Sequence, residues 1–142
     1  MRRILVILTF LALAASALPQ MVYEVKPWDY VCESIGNVYS IDNVCEGISP
    51  PLVIYSDVIN IGLFGGNLNG LYIPGEPYVF VSPLGTNVVR TIEHEMVHYL
   101  THEAGLIGER DMCEHERVAR FVSGQSWEQK IRDRYGCQKD DT

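Results

Sequence analysis

The sequence predicts a small α+β domain, and three observations carry that reading. Short runs rich in β-formers occur at Leu52–Tyr55, 71–73 and Tyr78–Val81. A helical period follows, in which Val89, Ile92, Met96 and Leu100 recur at i, i+3, i+7 and i+11. Beyond Asp111 two further helical stretches are separated by Gly124 and bounded by two cysteines. The expected sheet is short and mostly antiparallel, with an exposed edge strand.

The first seventeen residues read as a secretory signal. Arg2 and Arg3 form a positive start, 4–14 an apolar core, and Ala15-Ser16-Ala17 an A-x-A cleavage site. That core is too short to span a bilayer as a mature helix. Cleavage would leave 18–142, one domain of 125 residues, read as a monomer in the extracellular space or the periplasm, with no membrane attachment. The net charge is −7, and losing Arg2 and Arg3 makes it −9. Such an acidic chain is a poor fit to nucleic acid or an anionic membrane as main partner.

Residues 18–50 carry the weakest pattern. Trp28, Val31, Ile35, Val38 and Ile41 have helical spacing, which predicts one helix after Pro27 with Cys32 on it and Gly36 in its middle. Ser49-Pro50-Pro51 is a break, and Leu52–Tyr55 a strand. The Gly- and Asn-rich tract 62–70 reads as a surface loop. Pro74-Gly75-Glu76-Pro77 is a turn between the other two strands, and the adjacent prolines suit a sheet edge.

The helix 87–102, with Thr86 as a suitable cap and Gly105 as a stop, contains His94-Glu95-Met96-Val97-His98. Histidines four apart on a helix lie one above the other, so both imidazoles can reach one ion. Neutral imidazole favours zinc, and a catalytic zinc takes three protein ligands and keeps one position open. Glu95 projects about 100° around the helix from His94, beside the ion rather than on it, where its carboxylate can take a proton from water.

The third ligand is sought on the helix after Asp111. Glu114 falls in phase with the apolar Val118, Phe121 and Val122, whereas Glu116 shares a face with the small Ala119 and Ser123. The two glutamates point about 200° apart, so only one of them can face the metal. Glu116 is favoured, because small residues let two helices close on one ion. His102 reads as a support or surface residue. His115 is either an exposed helix residue or an oxyanion donor. Tyr72 and Tyr78 read as packing or edge residues.

Four cysteines in an exported chain imply two disulfides. Gly124 ends one helix, and Ser126-Trp127-Glu128-Gln129 is a capping box that starts another. The arms 113–123 and 127–136 would each be about 15 Å long, and a hairpin of equal arms joins its ends. Cys113–Cys137 is therefore expected, and Cys32–Cys45 by elimination.

From 52 to 123 the chain resembles a zincin metallopeptidase, and among zincins the gluzincin type. The resemblance rests on strands with an exposed edge, His94-Glu95-Met96-Val97-His98, and a downstream glutamate followed by a small residue, Glu116-Arg117-Val118-Ala119. Where that family commonly has an aspartate four residues after the glutamate, this chain has Arg120. The resemblance implies one zinc held by His94, His98 and Glu116, with Glu95 as general base and a peptide or protein as substrate. Two other readings compete: a secreted binding module with a structural zinc, and a hydrolase of peptidoglycan amides.

Overall fold

The computed structural model describes residues 20–56, 68–108 and 110–137. The leader 1–17 and most of the Gly- and Asn-rich tract lie outside them. Eight elements follow in order: β1 (Gln20–Val22), α1 (Val25–Tyr39), β2 (Leu52–Tyr55), β3 (Gly70–Tyr72), β4 (Tyr78–Val81), α2 (Val88–Glu103), α3 (Met112–Val122) and α4 (Gln129–Arg134). The fold is α+β, with a four-stranded mixed sheet in the order β1-β2-β4-β3.

Two of the three strand pairings are antiparallel: β1 with β2 (Met21↔Ile54) and β3 with β4 (Leu71↔Phe80). The central pairing is parallel, with Val53 opposite Val79, which corrects the mostly antiparallel expectation in its middle. Parallel neighbours need a long connection, and the chain between β2 and β4 supplies one that also contains β3. Being central, β2 and β4 are the most enclosed strands, and Val53, Val79 and Val81 are fully buried. The turn after β3 places Gly75 at a φ of 88°, which the glycine accepts without strain. Among the described residues β3 lies at the edge of the sheet, in keeping with the flanking prolines.

Helix α2 packs against α1, α3, β3 and β4 and so occupies the middle of the molecule. Ile92, Met96 and Leu100 point into the core as their spacing predicts, joined by Val97 and Tyr99. Val89 does not: it lies in the first turn, beyond the packed neighbours, and is 55% exposed. The cap is Asn87 rather than Thr86, its side chain accepting the Arg90 N–H at 3.1 Å. Gly105 (φ 63°) stops the helix, with the Leu106 N–H returning to the Thr101 carbonyl.

Helix α1 begins at Val25, two residues before Pro27, which sits in the first turn where its missing N–H costs nothing. Trp28, Val31 and Ile35 are buried, whereas Val38 and Ile41 are exposed because the chain turns back there. Gly36 makes that turn possible. A Cβ on it would stand 2.9 Å from the Ile41 carbonyl oxygen, and the Ile41 N–H donates to the Gly36 carbonyl. Tyr30 ties α1 to the end of α3 through the Val122 carbonyl at 2.7 Å. Tyr99 donates to the Ser49 carbonyl and packs between Trp28, tilted against it, and Tyr72, edge-on to it.

Both disulfides, Cys32–Cys45 and Cys113–Cys137, are present. The helical arms that suggested the second are unequal, eleven residues in α3 and six in α4. The expected capping box does not form; α4 starts only at Gln129, and the Ser126 carbonyl accepts from Arg120 instead. The non-helical link 123–128 makes up the length, so the ends still meet. No helix among the described residues is long and apolar enough to cross a membrane.

Candidate metal centre

Regular helical spacing brings His94 and His98 to one face of α2, with ring centroids 4.8 Å apart. The close approach of α3 adds Glu116. Ala119, fully buried on the same helix, has the small side chain that this approach needs. His94 Nε2 lies 3.1 Å from His98 Nε2, and Glu116 Oε2 lies 3.3 and 3.4 Å from those two atoms. Three lone-pair-bearing atoms thus converge on one point, and this group could hold a metal ion.

Glu114 is elsewhere. It lies on the outer side of α3, where both its oxygens accept from Arg117 at 2.6 and 2.8 Å, and this holds its carboxyl below the usual range. Of the two candidate glutamates, the structure brings Glu116 to the histidines. Burial alone would raise the Glu116 pKa. Its hydrogen bonds to His94 and His98, and their charge, outweigh burial and hold it well below the ordinary carboxylate range. Its second oxygen, Oε1, accepts from Arg120 Nε at 2.7 Å.

Glu95 sits beside the triad under the edge strand β3. Burial pushes its pKa up to about 7; the His98 charge opposes this, the Glu116 charge adds to it, and the Tyr72 backbone N–H donates to the carboxylate and opposes it. The fit is close. A Cβ on Gly70 would stand 2.6 Å from Glu95 Oε1 and 2.7 Å from Thr91 Cγ2, so only glycine lets β3 cover this carboxylate.

The triad and Glu95 open onto a cleft of about 370 Å³, whose walls include Leu68, Leu71, Met112 and Tyr135. His102 is on its wall rather than at the triad, with Nδ1 3.1 Å from the Tyr72 hydroxyl. Tyr72 is thus a packing residue, edge-on to Tyr99, and also a neighbour of the site. Tyr78 packs against Phe80. His115 is buried, not exposed, and both ring nitrogens are engaged, with Thr101 Oγ1 at 3.3 Å and the Gly108 carbonyl at 3.2 Å. These contacts leave it poorly placed as an oxyanion donor.

Comparison with family models, with curated proteins and with solved structures found no match.

Three features of the site were missed in the sequence. Arg120 had a readable signal, since it follows Glu116 by four residues and i,i+4 side chains meet on a helix. Gly70 was hidden at the end of a glycine-rich tract that reads as loop. The Tyr72 amide has no sequence signal at all, because the contact comes from the packing of β3 on α2.

Proposed function

We propose that this chain is an exported zinc-dependent peptidase whose ion is held by His94, His98 and Glu116. The observation that supports this most is a buried carboxylate, Glu95, set beside a three-ligand group at the foot of a cleft. A purely structural zinc takes four protein ligands, whereas a catalytic one takes three. The donor set of two imidazoles and one carboxylate suits zinc, and its spacing does too. Ligands about 2.0–2.1 Å from a tetrahedral ion stand roughly 3.3 Å from each other, against the 3.1 to 3.4 Å found here. One departure is His94 Nδ1, which is buried with no hydrogen-bond partner among the described residues, so packing rather than an outer hydrogen bond orients that ring.

When bound, zinc supplies a Lewis acid that polarises a peptide carbonyl and acidifies water. Glu95 takes a proton from water and returns it to the leaving amine. The Tyr72 N–H donates to its carboxylate and helps hold it beside the triad. Among the described residues β3 lies at the sheet edge, where backbone groups other than the Tyr72 N–H can meet an extended peptide. The apolar side chains of Leu71 and Met112 give the cleft a preference for apolar residues. Two disulfides fit an oxidising compartment outside the cytoplasm.

Metal analysis together with proteolysis tests this reading. The purified protein should carry one zinc per chain and cleave an unfolded test protein, with activity lost to a chelator and restored by zinc. Chelator-insensitive cleavage, or stoichiometric zinc in the His94→Ala/His98→Ala double mutant, would refute it. The ligand set has its own expected outcome. Glu116→Ala should weaken zinc binding by orders of magnitude, while Glu114→Ala, which removes only an exposed pair with Arg117, should leave it within about twofold. The reverse ranking in a competition titration would exclude Glu116 as the ligand.

A further inference from the structure

We infer that Arg120 is a positioning residue that keeps Glu116 a one-oxygen ligand. The inference rests on the reading of His94, His98 and Glu116 as a zinc site. A carboxylate has two equivalent oxygens, and whatever grips one decides what the other can do. At Glu116 the grip is Arg120 Nε on Oε1 at 2.7 Å, and Oε2 alone is turned to the two histidines.

The neighbouring pair on α3 shows the alternative. Arg117 takes Glu114 with a two-nitrogen fork, Nε to one oxygen and the terminal nitrogen to the other, which leaves no oxygen for a metal. Arg120 instead spends one nitrogen on Glu116 and directs the rest of its guanidinium elsewhere. Its Nη1 donates to the Ser126 carbonyl at 3.2 Å, and the side chain also hydrogen-bonds the Tyr135 hydroxyl. The Arg120 side chain is 16% exposed and that of Glu116 5%, so the pair is shielded from solvent, unlike Arg117–Glu114 at 47% and 34%. The segment after α3 therefore braces the arginine, and the arginine sets the carboxylate. A carboxylate free to turn could offer both oxygens to the ion and crowd the position that hydrolysis needs for water.

The test compares wild type with Arg120→Met, which keeps an unbranched stem but no donors, and Arg120→Lys, which keeps charge and one donor. Zinc affinity is measured by chelator competition, and coordination by the visible spectrum of the cobalt(II)-substituted proteins, whose absorption is intense at four-coordinate and weak at higher-coordinate sites. Arg120→Met should bind zinc about 10- to 100-fold more weakly, the range for losing an outer-shell partner, and its cobalt absorption should fall. Arg120→Lys should lie between it and wild type. Arg120→Met with wild-type affinity and a superimposable cobalt spectrum would overturn the assignment while leaving the zinc site standing. A wild type that binds no zinc would overturn both. Should Arg120→Met fail to fold, the Arg120 Nε–H proton of wild type decides by NMR. A resolved, slowly exchanging signal in the zinc-loaded protein supports the grip, and a signal lost to rapid solvent exchange refutes it.

Discussion

Glu95→Gln should retain one zinc per chain and the wild-type fold, yet turn over substrate about 10²- to 10⁴-fold more slowly, the range for losing general acid–base catalysis. At 1.36 kcal/mol per tenfold, that is a barrier raised by about 2.7 to 5.4 kcal/mol. The amide keeps the shape of the carboxylate, so the space beneath Gly70 stays filled and the Tyr72 N–H still has an oxygen to meet. Only the ability to accept a proton is lost. The check is turnover at equal zinc occupancy, on a substrate that wild type demonstrably cleaves. Wild-type turnover would remove Glu95 from the mechanism and favour a zinc that serves only as a staple.

Gly70→Ala should give a second protein that is loaded with metal but slow. The new methyl carbon would fall 2.6 to 2.7 Å from Glu95 Oε1, Glu95 Cγ and Thr91 Cγ2, far inside van der Waals contact. Either β3 lifts from α2 or the Glu95 side chain swings away, and both move the carboxylate off its place. Misplacing a reacting group by about 1 Å can cost roughly 10²-fold in rate, and that is the expected loss in turnover. Zinc affinity should change little, because Gly70 lies against Glu95 and Thr91 rather than against the three ligands. A loss of zinc as large as the loss of rate would show that β3 supports the ligands and not the base alone.

The parts of the molecule legible in the sequence are those whose cause is local. His94 and His98 follow from helical spacing alone, and the two strands either side of the turn follow from Pro74 and Gly75 between β-forming runs, although β3 takes in Gly70, which reads as loop, and ends before Ile73. Both disulfides pair as expected, although the equal helical arms that pointed to Cys113–Cys137 are not there and the link 123–128 closes the distance instead. What stayed hidden was set by packing at a distance. The parallel contact of β2 with β4 joins strands separated by a third one, and nothing in either run announces its partner. β1 is three residues long and exists only because β2 is there to pair with it. Ser126 has the right sequence for a cap, but its carbonyl is drawn to Arg120 and the helix begins later. Glu114 had the apolar phase of α3 in its favour. Val118 and Val122 of that phase are buried, but Phe121 is 71% exposed and Glu114, one turn before Val118, lies at the margin of the buried face, paired with Arg117.

The three side chains that could hold a metal, His94, His98 and Glu116, all fall within one run of chain, on two successive helices. That run also supplies much of the core, since Met96, Val97, Tyr99, Leu100 and Ile107 lie within it and cluster with Trp28, Val31 and Ile35 of α1 and with Val53, Val79 and Val81 of the sheet. Because loop-closure entropy grows only with the logarithm of loop length, an ion bridging these positions would restrict the unfolded chain nearly as much as one bridging distant positions. It would also tie together two helices that the hydrophobic core already holds side by side, through Met96 and Leu100 on one and Val118 and Ala119 on the other. Removing such an ion would then lower the stability of the α2–α3 pair without removing the apolar contacts that join it.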